Sequence, residues 1–300
     1  MGEDGALLLG QRLADDLENF DDPTMPEGFT RAAWTERLGN VAALDTSIVS
    51  AVLSGKLEPL GTAKGLAERI IVSHVDNTMQ PVALYVPQPL RPNPSLVVLL
   101  HGRPQTESEI LGAPYFQTLA DGSNAIIVAP WGRGNYNFFG AATDDVYQTA
   151  DEVASAFGVD EHRVFLAGYS MGGFSVFKVG PTHGSRWAAV LCISGSILNS
   201  EAGTVVKAWR NTKIYVVNGK LDTEIPPQYG LYTAQYLASM GIPTGFYQEP
   251  TGTHFIPTLM PTLTGAWNDM LKGVVRNMPM TTQTSIALPQ MGLDSPTLKP

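Results

Sequence analysis

The 300-residue chain is 44% hydrophobic and only 16% charged, against roughly 25% charged residues in an average soluble domain, so it can bury a large core and is not disordered throughout. Its formal charge of −9 supplies no basic footprint for a phosphate backbone, so nucleic acid is excluded as an expected partner. Cys192, the one cysteine, makes neither an internal disulfide nor a thiolate metal cluster, and no apolar run approaches the roughly 18 residues of a membrane span.

The opening residues Met1–Gly5 are acidic, and the apolar stretch Ala6–Leu9 is too short for a signal-peptide core, so the expectation is a soluble, cytoplasmic protein. Residues 1–60 lack strand alternation and are expected to form an N-terminal helical extension or small subdomain. Trp34, Leu38, Val41, Ala42 and Leu44 recur at nearly helical spacing, and Asp45-Thr46-Ser47 is expected to cap a helix Ile48–Leu53. Asp21-Asp22-Pro23 and Pro26-Glu27-Gly28 read as turns.

From residue 61 to 280 the pattern predicts one catalytic domain, followed by a tail over 281–300. Arg69–Val75 and Pro81–Val86 read as an antiparallel strand pair around Asp76-Asn77-Thr78. Short apolar runs follow at Leu96–Leu100, Ala125–Ala129, Val164–Ala167, Ala188–Ile193, Ile214–Val217 and Gly245–Gln248. Between and after them lie helical patterns at Ser108–Leu119, Asp144–Phe157, Met171–Val179, Gln228–Met240 and Ala266–Met278. Continuous apolar strands alternating with helices predict an α/β fold, a mostly parallel central sheet with helices on both faces. In such a sheet the functional loops gather at one edge.

Gly168-Tyr169-Ser170-Met171-Gly172-Gly173 directly follows one strand and directly precedes a helix, the context that a nucleophile elbow requires. A serine at so sharp a turn needs small neighbours two positions away on each side, which Gly168 and Gly172 supply. A serine hydroxyl needs a base to take its proton. Of the five histidines, His74 is expected inside a strand, His101 at a strand end, His162 in a turn and His183 in a loop. His254 lies in the loop after the last strand and is the expected base. A carboxylate must orient the imidazole, and Asp222, just past Ile214–Val217, is favoured over Glu224 and Glu201. The chain order Ser170, Asp222, His254 is the order that this fold uses.

An oxyanion needs two donors. The backbone N–H of Met171 is one; the other is expected from the loop His101-Gly102-Arg103-Pro104, at Arg103 first and Gly102 second, because Pro104 has no N–H. His101 is then expected to brace this loop. Trp131, Tyr136 and Phe138, with Phe139, are candidates to line an acyl or aromatic pocket, or else to pack under their own loop. Arg133 is a candidate for a substrate carboxylate or for a salt bridge, and Cys192 reads as a core thiol. No spacing suggests zinc, and no phosphate-loop lysine follows a Gly-rich element, so no metal and no cofactor are expected.

On these residues the chain resembles an α/β-hydrolase over about 69–278. Ala129-Pro130-Trp131-Gly132-Arg133-Gly134, Asp144-Asp145-Val146 and Val159-Asp160-Glu161-His162-Arg163-Val164 resemble segments of carbohydrate esterase family 1, which includes feruloyl and acetyl-xylan esterases, and of single-domain prolyl-oligopeptidase-like hydrolases. The resemblance implies a serine carboxylesterase that acts on a small-molecule or polymer-derived ester through an acyl-enzyme. A prolyl-oligopeptidase-like peptidase is the alternative enzyme, and a non-catalytic binding protein on the same scaffold is the alternative of another class.

Overall fold

Every strand read from the sequence forms in the computed structural model, which describes residues 3–20, 25, 29–184, 186–276 and 288. The chain divides into two units, residues 1–164 and 165–300.

In the first unit, helices α1 (Glu3–Phe20) and α2 (Arg31–Ser54) precede strands β1 (Gly65–Val72), β2 (Met79–Val86) and β3 (Ser95–Leu100). Helices α3 (Glu107–Gly112) and α4 (Pro114–Ser123), strand β4 (Ala125–Pro130) and helix α5 (Ala141–Phe157) follow. The strand order is β1-β2-β4-β3. β2 is antiparallel to both β1 and β4, whereas β3 and β4 are parallel, with Ser95 opposite Ala125. β3 and β4 are buried at every residue, as expected of strands covered on both faces.

Three local readings are corrected. Asp45-Thr46-Ser47 caps nothing, because it lies within α2, where the Thr46 and Ser47 hydroxyls donate back to the carbonyls of Ala42 and Ala43. The helix instead starts at Thr30, whose side chain accepts the N–H of Ala33, and ends at Gly55 in the left-handed region. The predicted helix Ser108–Leu119 is two helices, because Pro114 disfavours helical backbone at Ala113, which is extended at φ −77°, ψ 136°. β1 ends at Val72, which leaves His74 exposed in the turn rather than in a strand. The predicted turns at 21–23 and 26–28 lie outside the described residues.

The N-terminal helices are joined to the rest of this unit in two ways. Leu9 of α1, Ile48 of α2 and Ile70 of β1 form an apolar cluster with Leu13, Val52 and Met79 against it. Beside it, Arg12 is fully buried and pairs with Asp16 (2.7 Å), Asp45 (3.1 Å) and Glu107. Asp16 in turn accepts from the hydroxyls of Thr106 (2.5 Å) and Ser108 (2.7 Å), at the start of α3. Arg37 of α2 reaches Glu109 at 2.8 Å. Burial alone would lower the proton affinity of Arg12; Glu107, Asp16, Glu68 and Asp45 together outweigh it and raise it.

The second unit alternates strand and helix: β5 (Val164–Tyr169), α6 (Met171–Val179), β6 (Ala189–Ile193), α7 (Ala202–Ala208), β7 (Lys213–Gly219), α8 (Pro227–Ser239), β8 (Thr244–Glu249) and α9 (Ile256–Lys272). Its strands run in the order β5-β6-β7-β8, each parallel to the next. The last helix begins ten residues before the predicted Ala266. Pro257 sits in its first turn, where a missing N–H costs no intrahelical bond, and it stops at Gly273 in the left-handed region. Among the described residues, no helix is long and apolar enough to cross a membrane.

Candidate active site

The link from β5 to α6 is a sharp turn at Ser170, with φ 53° and ψ −115°, a region that non-glycine residues rarely adopt. The turn is so tight that a Cβ on Gly168 would lie 2.2 Å from the carbonyl oxygen of Gly172. Only hydrogen fits there, which explains the glycine. Backbone bonds hold the turn from both sides: Ser170 N–H donates to Ile193 O (2.9 Å), and Phe174 N–H donates to Ser170 O (3.0 Å). A Cβ on Gly173 would meet Ile193 O at 2.6 Å, so α6 lies directly against the end of β6.

Two further loops of the same unit meet at Ser170. The loop after β7 carries Asp222, and the loop after β8 carries His254. They are fastened backbone to backbone: Lys220 N–H donates to Glu249 O (2.9 Å) and Leu221 N–H to Gly252 O (2.8 Å). A Cβ on Gly219 would lie 2.2 Å from Gly252 O, so this approach also depends on glycine. The sequence shows the loops but not their contact; the glycines at 219 and 252 are the signal that marks it.

His254 Nε2 lies 3.0 Å from Ser170 Oγ, and His254 Nδ1 lies 2.8 Å from Asp222 Oδ2. All three residues are buried, at 8%, 6% and 4% exposure for Ser170, His254 and Asp222. Asp222 Oδ1 accepts the backbone N–H groups of Glu224 (3.0 Å) and Ile225 (2.8 Å). The Tyr169 hydroxyl donates to the carbonyl of His254 (2.9 Å), and its ring lies 5.3 Å from the imidazole. Burial, and secondarily Glu224 and Asp222, hold the Tyr169 phenol well above its usual range, so it remains a donor.

The rival carboxylates take other places. Glu201 accepts Leu198 N–H at 3.2 Å, in its own turn. Glu224 is half-exposed, and its Oε2 lies 3.6 Å from His254 Nε2, on the side of the ring that faces Ser170. Nothing in the sequence singles out that approach. Cys192 is buried, burial pushes its thiol up, and its Sγ donates to Gly173 O (3.3 Å).

The remaining candidates lie in the first unit. His101 is fully buried, with Nδ1 3.0 Å from Gly102 O and Nε2 2.8 Å from Trp131 O, and burial lowers its proton affinity. It thus ties the loop after β3 to the end of β4. Arg103 donates through its guanidinium to Asn135 O (2.6 Å). Trp131 and Phe138 are buried, and a Cβ on Gly132 would strike the Phe138 ring at 2.2 Å. Tyr136, by contrast, is 74% exposed. Arg133 is engaged in ion pairs with Asp76 and Asp145, and it holds the Asp76 carboxyl well below the usual carboxylate range.

No family model matches the chain. Over 145 residues it is 29% identical to a bifunctional acetylxylan esterase/xylanase of Neocallimastix patriciarum, a match that covers 47% of this chain and 21% of the relative. The match thus spans about a fifth of that longer protein. Among solved structures, a ferulic acid esterase superposes with a TM-score of 0.58 at 17% identity, covering 69% of this chain and 98% of the other. An esterase of Pyrobaculum calidifontis gives 0.56 at 15% identity, covering 85% and 97%. The CE1 ferulic acid esterase of Anaeromyces mucronatus gives 0.55 at 13% identity, covering 69% and 90%. The shared architecture is the α/β-hydrolase fold.

Proposed function

We propose that the chain is a serine carboxylesterase that works through an acyl-enzyme. One observation carries this reading: a serine in strained backbone, a histidine and a carboxylate from three separate loops form an unbroken chain of contacts at 3.0 and 2.8 Å. His254 accepts the proton of Ser170 Oγ as that oxygen bonds to the ester carbonyl carbon. The bond from that carbon to the alcohol oxygen then breaks, and the proton on Nε2 passes to the departing oxygen. Water, deprotonated by the same nitrogen, attacks the acyl-enzyme; the bond to Ser170 Oγ breaks, and the proton returns to that oxygen. Asp222 holds Nδ1–H toward itself, which fixes the tautomer and stabilises the imidazolium.

The backbone N–H of Met171, at the start of α6, is the first donor to the oxyanion in this proposal. The sequence expectation of a second donor at Arg103, or at Gly102, belongs to the same proposal. Of Trp131, Tyr136 and Phe138, the proposal keeps Tyr136 for substrate, since its ring is open to solvent whereas Trp131 and Phe138 are buried. The likeness to an acetylxylan esterase/xylanase supports acetyl esters of plant-polymer type as the substrate class, and feruloyl esters remain part of the proposal.

An ester panel graded by acyl group, acetyl and feruloyl included, tests the reading beside amino-acyl anilides. Turnover of esters with anilides untouched is the expected result. Anilide turnover exceeding ester turnover would move the assignment to the peptidases.

A further inference from the structure

Glu224 stands beside the nitrogen that, in the proposed mechanism, protonates the departing alcohol of an ester. The departing oxygen takes its proton from His254 Nε2, so it must come within hydrogen-bonding distance of that nitrogen. Glu224 Oε2 is already 3.6 Å from the same nitrogen. Whatever is bonded to the departing oxygen therefore passes close to this carboxylate. The side chain is half-exposed, and among the described residues its carboxylate accepts no hydrogen bond; it lies near His254 Nε2, an ion pair only when that imidazole is protonated. Its backbone is fixed, because its N–H donates to Asp222 Oδ1 in the turn that also orients Asp222. A carboxylate presented in this way, with lone pairs not taken up by the protein, is an acceptor for a ligand donor.

We propose that Glu224 is a specificity-determining residue of this site, accepting a hydrogen bond from a second hydroxyl on the alcohol half of the ester. The inference rests on the esterase reading and refines it. Esters of polyols and sugars carry such a hydroxyl beside the ester oxygen; esters of simple alkyl alcohols do not. A site that offers a charged acceptor discriminates by leaving that acceptor unpaired when the hydroxyl is missing. Asp222 does not perform this task, since both of its oxygens are taken by His254, Glu224 and Ile225.

The test compares 2-hydroxyethyl and propyl esters of one acyl group, the one that the wild type hydrolyses fastest. The two alcohols differ only in a hydroxyl in place of a methyl group. The wild type should show the higher kcat/KM on the hydroxyethyl ester. Glu224→Ala should reduce that preference by about tenfold, the lower end for a hydrogen bond to a charged group. Glu224→Gln, which keeps an acceptor oxygen without the charge, should retain part of it. A wild type that does not discriminate, a preference unchanged in both variants, or equal losses on both esters would each overturn the proposal. A wild type that hydrolyses no ester would overturn the esterase reading itself and this inference with it.

Discussion

The carboxylate of Asp222 divides its oxygens between backbone and imidazole: Oδ1 accepts the amide protons of Glu224 and Ile225, and Oδ2 lies 2.8 Å from His254 Nδ1. The two amides fix the rotamer, so the second oxygen is aimed without further support. Asp222→Asn keeps the size and presents an amide in place of the acceptor that the Nδ1–H tautomer requires. The expected result is a loss in kcat on the order of 10³-fold or more with the melting temperature nearly unchanged. An unaltered kcat in the folded variant would remove Asp222 from the proposed machinery.

Gly168 tests the geometry of the turn rather than its chemistry. The Cβ of Gly168→Ala has to be placed 2.2 Å from Gly172 O, a backbone atom that cannot swing aside. Thermal or urea denaturation should show destabilisation of about 3 kcal/mol, the upper range for overpacking, together with reduced turnover from a displaced Ser170. Gly10, where an added Cβ would meet nothing within 4 Å, is the matched control.

The Tyr169 hydroxyl holds the His254 carbonyl at 2.9 Å within a buried environment. Tyr169→Phe removes that one bond and keeps the ring against the imidazole. Chemical denaturation should register a loss of about 1 kcal/mol, with the effect on catalysis falling in kcat rather than in KM. A rise in KM alone would mean that Tyr169 acts on substrate and not on the histidine loop.

The ion cluster around Arg12 makes stability depend on pH. Burial holds the Glu107 carboxyl up to about 8 and the Asp45 carboxyl up to about 7, well above the ordinary carboxylate range. The folded chain therefore keeps these protons to higher pH than the unfolded chain does. Their stabilising effect is complete at pH values below the unfolded pKa of roughly 4 and is lost as pH rises toward about 7 and about 8. Burial also holds the neighbouring Glu68 carboxyl well above the ordinary range, and Glu107→Gln abolishes one of the cluster's titrations. Melting curves between pH 5 and 8.5 should show the variant gaining on the wild type as pH rises; a constant difference between them would refute the linkage.

The parts of the fold that the sequence announces are those governed by a local rule. Alternation of short apolar runs with helical periods places β3 to β8, and the strand-to-helix context of Gly168–Gly173 singles out Ser170 as a candidate without any knowledge of its partners. His254 and Asp222 follow from their positions after strands. What local rules miss is whatever depends on a partner distant in sequence. Thr46 and Ser47 look like caps because a hydroxyl serves equally well at a helix start or bonded back to a carbonyl four residues earlier. The first turns of α9 are hidden by Pro257, which a helix tolerates in its first turn, and by Pro261, which lies inside the helix and removes one backbone bond. Nothing in the segments of Arg12, Asp16 and Glu107 shows that they are buried together across 95 residues. Glu224 is the same case at the candidate site, since its approach to His254 Nε2 arises only when two loops are fastened side by side.

The account depends on the hydroxyl of Ser170 being the nucleophile, and active-site labelling measures this most directly. A fluorophosphonate probe, followed by peptide mass spectrometry, should place a single adduct on Ser170, and Ser170→Ala should remain unlabelled while folding normally. An adduct on another residue, or labelling that persists in Ser170→Ala, would contradict the account.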